Sequence, residues 1–492
     1  MAWINFLDEV KAKYPTHTAL IDQATERTLN YQSLVEEVDA WAWRLQEMNV
    51  QKGDCVAYLN TNSLEHITVF LASARLGALF VPLNFRLAAE ELAEIVDRVG
   101  PKIFIGNGDC DLPLKGDYPY VNVEEISLEE SYSKGSFPTV ASTMQDPLLM
   151  LFTSGTTGTP KGVMFHGQML KTNQDQTCKN WGLLSSDKTL VETPFFHTGG
   201  YNVLCLPLLS IGGTSVLAKK FDLDNVYETI ERDKLSVYFA VPTMFQMIEE
   251  DSRFEKTSFE SLRFFISGGA HCPKELIEAY QAKNLMFKQG FGLTEVGPNC
   301  FLLDEKDAIR KVGSIGKPMP HSEVVLIKDD GKKAGAGEVG ELLIRGPHVC
   351  LGYFKHPERF TECVFDGFFK TGDLAKFDED GFYFIVGRKK DMYISGGENV
   401  YPAEVEKRIR THENILDAVV VAVPSEKWGE VGYCYLRGNK DIDVEEMREF
   451  LNPLLSRYKH PHYIERMEEF PLLASGKVDR KTLQAKAVNK VS

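Results

Sequence analysis

The sequence predicts an α/β protein. A large N-terminal domain of layered α/β sheets, with a small β-structure at its end, precedes a small α+β C-terminal domain. Three observations predict this. The chain has 492 residues, more than one hydrophobic core usually organises. Up to about residue 330, strand-like apolar runs alternate with amphipathic helical patterns, which favours layered α/β architecture with parallel sheets. After Gly331 the text changes to short strands separated by Gly- and Asp-rich turns.

Near the N-terminus, Trp3, Phe6, Leu7 and Val10 recur at helical spacing, while Asp8 and Glu9 interrupt any signal-peptide core. VAYLN (56–60), ALFVPL (78–83), KIFIG (102–106), PLLMLF (147–152), TSVLA (214–218), SVYFAVP (236–242) and RFFISGG (263–269) read as strands. SLEHITVFLASARLG (63–77) reads as a helix between two of them. Beyond Gly331, ELLIRG (341–346), LAKF (374–377) and FYFIV (382–386) are short strands. GRKKDMY (387–393), a charge cluster between apolar segments, is suited to an interdomain hinge. Pro402 opens a helix, DAVVVAVP (417–424) is a buried strand, and a second helix is expected over 444–456. The expected domains are 1–388 and 389–492.

Acidic residues outnumber basic ones by 70 to 55, and the net charge of −15 makes nucleic-acid binding a poor expectation. Any anionic substrate needs a local cluster of donors. The nine cysteines form no C-x-x-C pair, as expected of scattered thiols in a reducing compartment. No apolar run approaches the roughly 18 residues of a membrane span, so a cytoplasmic protein without a transmembrane segment is expected.

Four segments carry chemistry. The first, LFTSGTTGTPKGVMFHG (151–167), runs Thr153, Ser154, Gly155, Thr156, Thr157, Gly158 and Thr159 into Pro160-Lys161-Gly162. Small residues and hydroxyls ending in a lysine let backbone N–H groups approach a phosphate. The segment is nevertheless not G-x-x-x-x-G-K-[ST], because Pro160 and Gly162 stand where that pattern needs Gly and a hydroxyl. The second is FKQGFGLTEVGPN (287–299). Phe291 could stack on a base, Thr294 could donate to phosphate and Glu295 could hold Mg²⁺, although a plain strand–turn fits equally well. The third comes from geometry. Asp380-Gly381 makes a hairpin turn, and Asp373 lies as far before it as Arg388 lies after it. Antiparallel pairing should therefore bring those two together, as a ribose- and phosphate-binding pair or as a structural ion pair. The fourth is PLLASGKVDR (471–480), where Lys477 follows a Ser-Gly turn and, taken alone, reads as a solvated tail lysine.

In order, SGTTGTPKG, FGLTE, TGD, GRKKD with ISGGENVYPAEVE, and SGK resemble the motifs of the adenylate-forming superfamily of acyl-CoA synthetases, luciferases and peptide-synthetase adenylation domains. The resemblance covers nearly the whole chain. It implies a mobile C-terminal domain and a small barrel in the N-terminal one. It implies that Thr153, Ser154, Gly155, Thr156, Thr157, Gly158 and Lys161 cradle the ATP phosphates. Gly268, Gly269 and Ala270 line the adenine site, with Phe291 stacking and Gly292 beside it. By the same resemblance Thr294 reaches phosphate, Glu295 binds Mg²⁺, Asp373 takes the ribose hydroxyls with Arg388 nearby, and Lys390 is the hinge. Lys477 matches the lysine bridging the substrate carboxylate and α-phosphate. Phe291 departs from the tyrosine common at its position, which preserves stacking and removes a phenol hydroxyl.

The implied reaction joins a carboxylic acid to ATP as acyl-AMP, and a thiol, CoA, then displaces AMP. Gly396 and Gly397 would let a pantetheine arm pass close to the backbone. His197 matches a position flanking the carboxylate, a packed core histidine being the other reading. The pocket segments 194–202, 238–244, 264–271 and 291–299 contain no Lys or Arg, so an apolar monocarboxylate, fatty or aryl, is expected. A carrier-protein thiol as acceptor, or a 2-succinylbenzoate-like dicarboxylate as substrate, is the alternative. A homodimer is one assembly left open.

Overall fold

The computed structural model describes every residue except 1, 110, 154–159, 271, 397, 474–476 and 492. The chain divides into two compact units, 1–324 with 344–369, and 325–343 with 370–492.

Among the described residues the first unit contains three sheets. The seven-stranded one runs Gly352–Tyr353, Lys161–His166, Pro147–Thr153, Leu79–Pro82, Cys55–Leu59, Ile103–Gly106, Tyr120–Asn122. Leu79–Pro82, Cys55–Leu59 and Ile103–Gly106 pair in parallel. The first and last of these are buried at every residue, so their sequences are continuous apolar runs rather than alternations. The helix Leu64–Leu76 connects two of them. Ser63 caps it by accepting from the His66 N–H, and Gly77 ends it at φ 72°.

The sheets are mixed rather than purely parallel. Pro147–Thr153 and Lys161–His166 pair antiparallel, with Thr153 opposite Lys161. Only 154–160 lie between them, too few residues for a parallel crossover, which is why the two strands pair antiparallel. A second sheet runs Thr28–Asn30, Thr18–Asp22, Thr214–Leu217, Lys188–Val191. The third runs Val237–Ala240, Phe264–Ser267, Phe287–Leu293, Gly297–Leu303, Lys317–Pro318 and turns antiparallel after its third strand.

Most of the sheet formed by Glu323–Ile327, Gly340–Arg345, Phe368–Phe377 and Tyr383–Arg388 lies in the second unit. Its other sheet is built on the long antiparallel pair Ile415–Ser425 and Gly429–Gly438. Ala418, Val420 and Ala422 pack with Val405, Ile409, Met447 and Leu451 on one face. Val419, Val421 and Val423 pack with Leu483 and Ala487 of the helix Arg480–Val491 on the other. Side chains alternate faces and both faces are covered, which is why DAVVVAVP carries no polar interruption. The helix expected over 444–456 stops at Leu451, two residues before Pro453, which has no N–H to offer the next turn. Among the described residues no helix is long and apolar enough to cross a membrane.

Candidate active site

In the first unit, Lys161 opens its strand at the base of a hairpin, opposite Thr153. The expected phosphate donors Ser154, Gly155, Thr156, Thr157 and Gly158 lie outside the described residues. The end of the loop is anchored: Arg98 Nη1 donates to the Pro160 carbonyl at 2.7 Å. The Lys161 ammonium rests 4.6 Å from the centroid of the Tyr353 ring.

Thr294 and Glu295 sit in the 3-10 turn Thr294–Val296, between the antiparallel strands Phe287–Leu293 and Gly297–Leu303. The turn is tight enough that a Cβ on Gly292 would lie 2.1 Å from the Gly297 carbonyl oxygen, so glycine is required there. The Glu295 backbone carbonyl accepts from the Cys350 N–H at 2.8 Å. Its side-chain Oε1 accepts from the Tyr353 hydroxyl at 3.0 Å. Burial, and then the Glu295 carboxylate, push the Tyr353 phenol well above the usual tyrosine range.

The adenine-site candidates come from neighbouring strands. Gly268 follows Phe264–Ser267, and a Cβ there would stand 3.2 Å from the Gly290 carbonyl oxygen, one residue from Phe291. Gly269 takes φ 84°, and both Gly269 and Ala270 are exposed. Phe291 stands edge-on to Phe301 with ring centroids 5.6 Å apart.

His197 lies in a loop whose Phe196 ring contacts it at 4.5 Å. Phe196 meets Phe85 edge-on at 5.2 Å, and the Arg86 guanidinium lies 5.7 Å from the Phe85 ring centroid and 5.9 Å from that of Phe196. The four pocket segments contain no cation, but the fold brings one against them from 86. Nearby, Glu192 is buried. Its Oε2 accepts from the Tyr238 hydroxyl at 2.7 Å and its Oε1 from the Asp222 N–H at 3.3 Å. Desolvation raises its carboxyl to about 8, so it is protonated at neutral pH.

In the second unit, Asp373 and Arg388 are direct partners across the antiparallel ladder, as their spacing from the turn predicts. Arg388 Nε lies 2.5 Å from Asp373 Oδ1. Lys477 joins them. Its backbone carbonyl accepts from the Leu473 N–H at 2.7 Å, just before the Leu472–Val478 bridge. Its ammonium is pulled below the usual lysine range by lost hydration and then by the Arg388 charge, with Asp373 opposing. Three charged groups read separately from the sequence thus share one neighbourhood. Lys390 is exposed beside Lys389, whose Nζ bonds Glu341 at 3.0 Å. Gly396 takes φ 60°, and a Cβ there would lie 2.8 Å from the Trp428 ring. Gly397 lies outside the described residues.

Sequence reasoning missed Tyr353, Arg86, Arg98 and Glu192. Tyr353 belongs to a two-residue strand whose pairing partner is almost two hundred positions earlier, and no local pattern signals it. Among the described residues no cluster of three or more His, Cys, Asp or Glu could hold a metal.

The first unit thus carries a lysine at the base of a hairpin with a carboxylate turn beside it, and the second unit an Asp–Arg–Lys cluster. Residues 7–354 match the family described as AMP-binding enzyme, and 404–477 match the AMP-binding enzyme C-terminal domain. The chain belongs to the AMP-binding enzyme family. Within it, the chain is of the acyl-CoA ligase type, an AMP-forming ligase. It is 35% identical to the feruloyl-CoA synthase of Amycolatopsis sp, over 92% of each chain. It is 32% identical to the 2-succinylbenzoate–CoA ligase of Geobacillus kaustophilus, over 98% of this chain and 97% of that one. The solved structure of ATP-bound MatB from Rhodopseudomonas palustris superposes with a TM-score of 0.89 at 27% identity, covering 99% of this chain and 100% of that one.

Proposed function

We propose that this enzyme activates an apolar monocarboxylic acid, fatty or aryl, as its acyl-AMP and passes the acyl group to CoA. The observation that carries the reading is the Asp373–Arg388–Lys477 cluster, because adenylation needs a ribose acceptor, a fixed cation and a mobile cation together.

A carboxylate cannot expel oxide, so the acid must first gain a leaving group. Its attack on the α-phosphate brings two anions together. Lys477 offsets the charge that develops between them. Asp373 takes the ribose hydroxyls, and Arg388 fixes that carboxylate's orientation. Lys161 and the 153–158 donors hold the β- and γ-phosphates, so that much of the rate comes from positioning. Phe291 and the Gly268–Ala270 wall enclose the base, and His197 flanks the acid's carboxylate.

Mg²⁺ fits the first unit. Glu295 offers one carboxylate and, among the described residues, it belongs to no group of three or more His, Cys, Asp or Glu that could hold a metal, which matches a cation that takes most of its ligands from phosphate and water. When bound there it would neutralise phosphate charge. In the second half-reaction the domain 389–492 turns about Lys390, Lys477 leaves, and the Gly396–Gly397 backbone admits the thiol arm. We place the enzyme in the cytoplasm; its partners are its small substrates, and a homodimer is the assembly to look for.

The test is pyrophosphate release over a panel of carboxylic acids, with and without CoA, followed by chromatography of the spent nucleotide. Acid-dependent pyrophosphate, AMP and a CoA thioester are expected. ADP as product would refute the reading, and acylation of a carrier protein in place of CoA would replace the acceptor.

A further inference from the structure

We propose that Tyr353 is a positioning residue that braces the carboxylate and the lysine of the phosphate end of the site through two different parts of one side chain. The inference rests on the reading that Glu295 carries Mg²⁺ and Lys161 phosphate.

The segment 349–354 is fastened on two sides. Towards the hairpin, His166 Nε2 lies 3.1 Å from the Val349 carbonyl oxygen, Leu351 N–H donates to Met164, and Phe354 N–H donates to Gly162. Towards the 3-10 turn, the Cys350 N–H holds the Glu295 carbonyl. Tyr353 lies between these attachments and is 3% exposed. A buried phenol needs a partner for its hydroxyl. Here that partner is the Glu295 carboxylate, and the ring face lies under the Lys161 ammonium.

The two contacts do different work. The hydroxyl engages Oε1 and thereby fixes which carboxylate oxygen faces away from it, as outer partners of metal-binding carboxylates do. The ring steadies an ammonium without neutralising it, whereas a carboxylate in the same place would compete with phosphate for the charge. A phenylalanine would fill the space equally well. The hydroxyl therefore separates a positioning role from packing.

The experiment is calorimetric binding of ATP in EDTA and in excess Mg²⁺. Tyr353→Phe should bind ATP in EDTA like the wild type, while the tightening produced by Mg²⁺ shrinks about tenfold. Tyr353→Leu should also weaken binding in EDTA, about threefold. Glu295→Gln is the reference variant. If it leaves the Mg²⁺ effect intact, the metal reading of Glu295 fails; if it removes the effect while Tyr353→Phe keeps it, only the present inference fails. Should the substitutions prevent folding, 3-fluorotyrosine at 353 keeps the hydroxyl. Its ¹⁹F resonance should move when Mg²⁺ is added to the ATP complex, and a stationary resonance would overturn the proposal.

Discussion

Arg388 donates from Nε to Asp373 Oδ1 at 2.5 Å, across the one rung of the ladder where the two residues face each other. Asp373 is 2% exposed, so its charge depends on that partner and on its other contacts, whereas the arginine keeps some access to water. The two halves of the pair should therefore fail differently. Asp373→Asn keeps the shape and removes the charge of the proposed ribose acceptor, and ATP affinity should fall roughly 10–100-fold. Arg388→Met leaves a carboxylate buried beside an apolar chain, and stability should drop by about 2 kcal/mol in denaturant unfolding. Equal stability of Arg388→Met and wild type would show that the pair does not hold the hairpin end.

The lowered pKa of Lys477 sets a pH limit on one half-reaction. In the proposed mechanism adenylation uses the ammonium, which is lost as pH rises through a value below the ordinary lysine range. Acyl-AMP formation should lose rate on the alkaline side, with the midpoint below the usual lysine titration. Thioester formation from supplied acyl-AMP should lack that limb. Matching profiles for the two steps would separate Lys477 from the proton that matters.

Glu192 predicts a stability slope. Its carboxyl titrates at about 8 in the folded protein against 4.5 ordinarily, so between those values the native state holds a proton the unfolded chain has lost. Stability contributed by this group is therefore lost as pH rises through that window. Glu192→Gln can keep bonds to Tyr238 and to the Asp222 N–H, and it should flatten the fall in Tm between about pH 5 and pH 8. A wild type and variant that lose Tm in parallel would contradict this.

The acid pocket carries a graded expectation. Monocarboxylates should turn over faster than dicarboxylates of similar length, because the four pocket segments supply no cation. The Arg86 guanidinium over Phe85 and Phe196 is the charge that could oppose this. If a dicarboxylate proves the better substrate, Arg86→Gln should remove that preference, and its persistence in the variant would exclude Arg86 as the cause.

What the sequence revealed depended on whether the relationship was local. The Asp373–Arg388 pair was legible because a hairpin turn fixes register at equal distances on either side. Lys477 was legible only through its place in an ordered set of motifs; its neighbourhood to Arg388 depends on where the chain returns after the strand Gly429–Gly438 and the helices around it. That strand was not read, because Gly429, Gly432 and two glutamate or arginine positions break its apolar pattern. The antiparallel strand Lys161–His166 was likewise hidden behind the loop that ends in its first residue. Tyr353 and Arg86 act through contacts spanning about 60 to 190 and about 110 positions, distances over which periodicity carries no information.

In the proposed mechanism one lysine, Lys477, serves adenylation and not acyl transfer. This is tested by assaying Lys477→Ala in the two half-reactions separately. Losing one charge contact in a water-poor site costs ~10²–10³ in rate. Acyl-AMP formation should fall by that factor, while supplied acyl-AMP and CoA should still give thioester at close to the wild-type rate. Gly397→Leu should show the reverse pattern. Equal loss of both half-reactions in both variants would contradict alternation about Lys390.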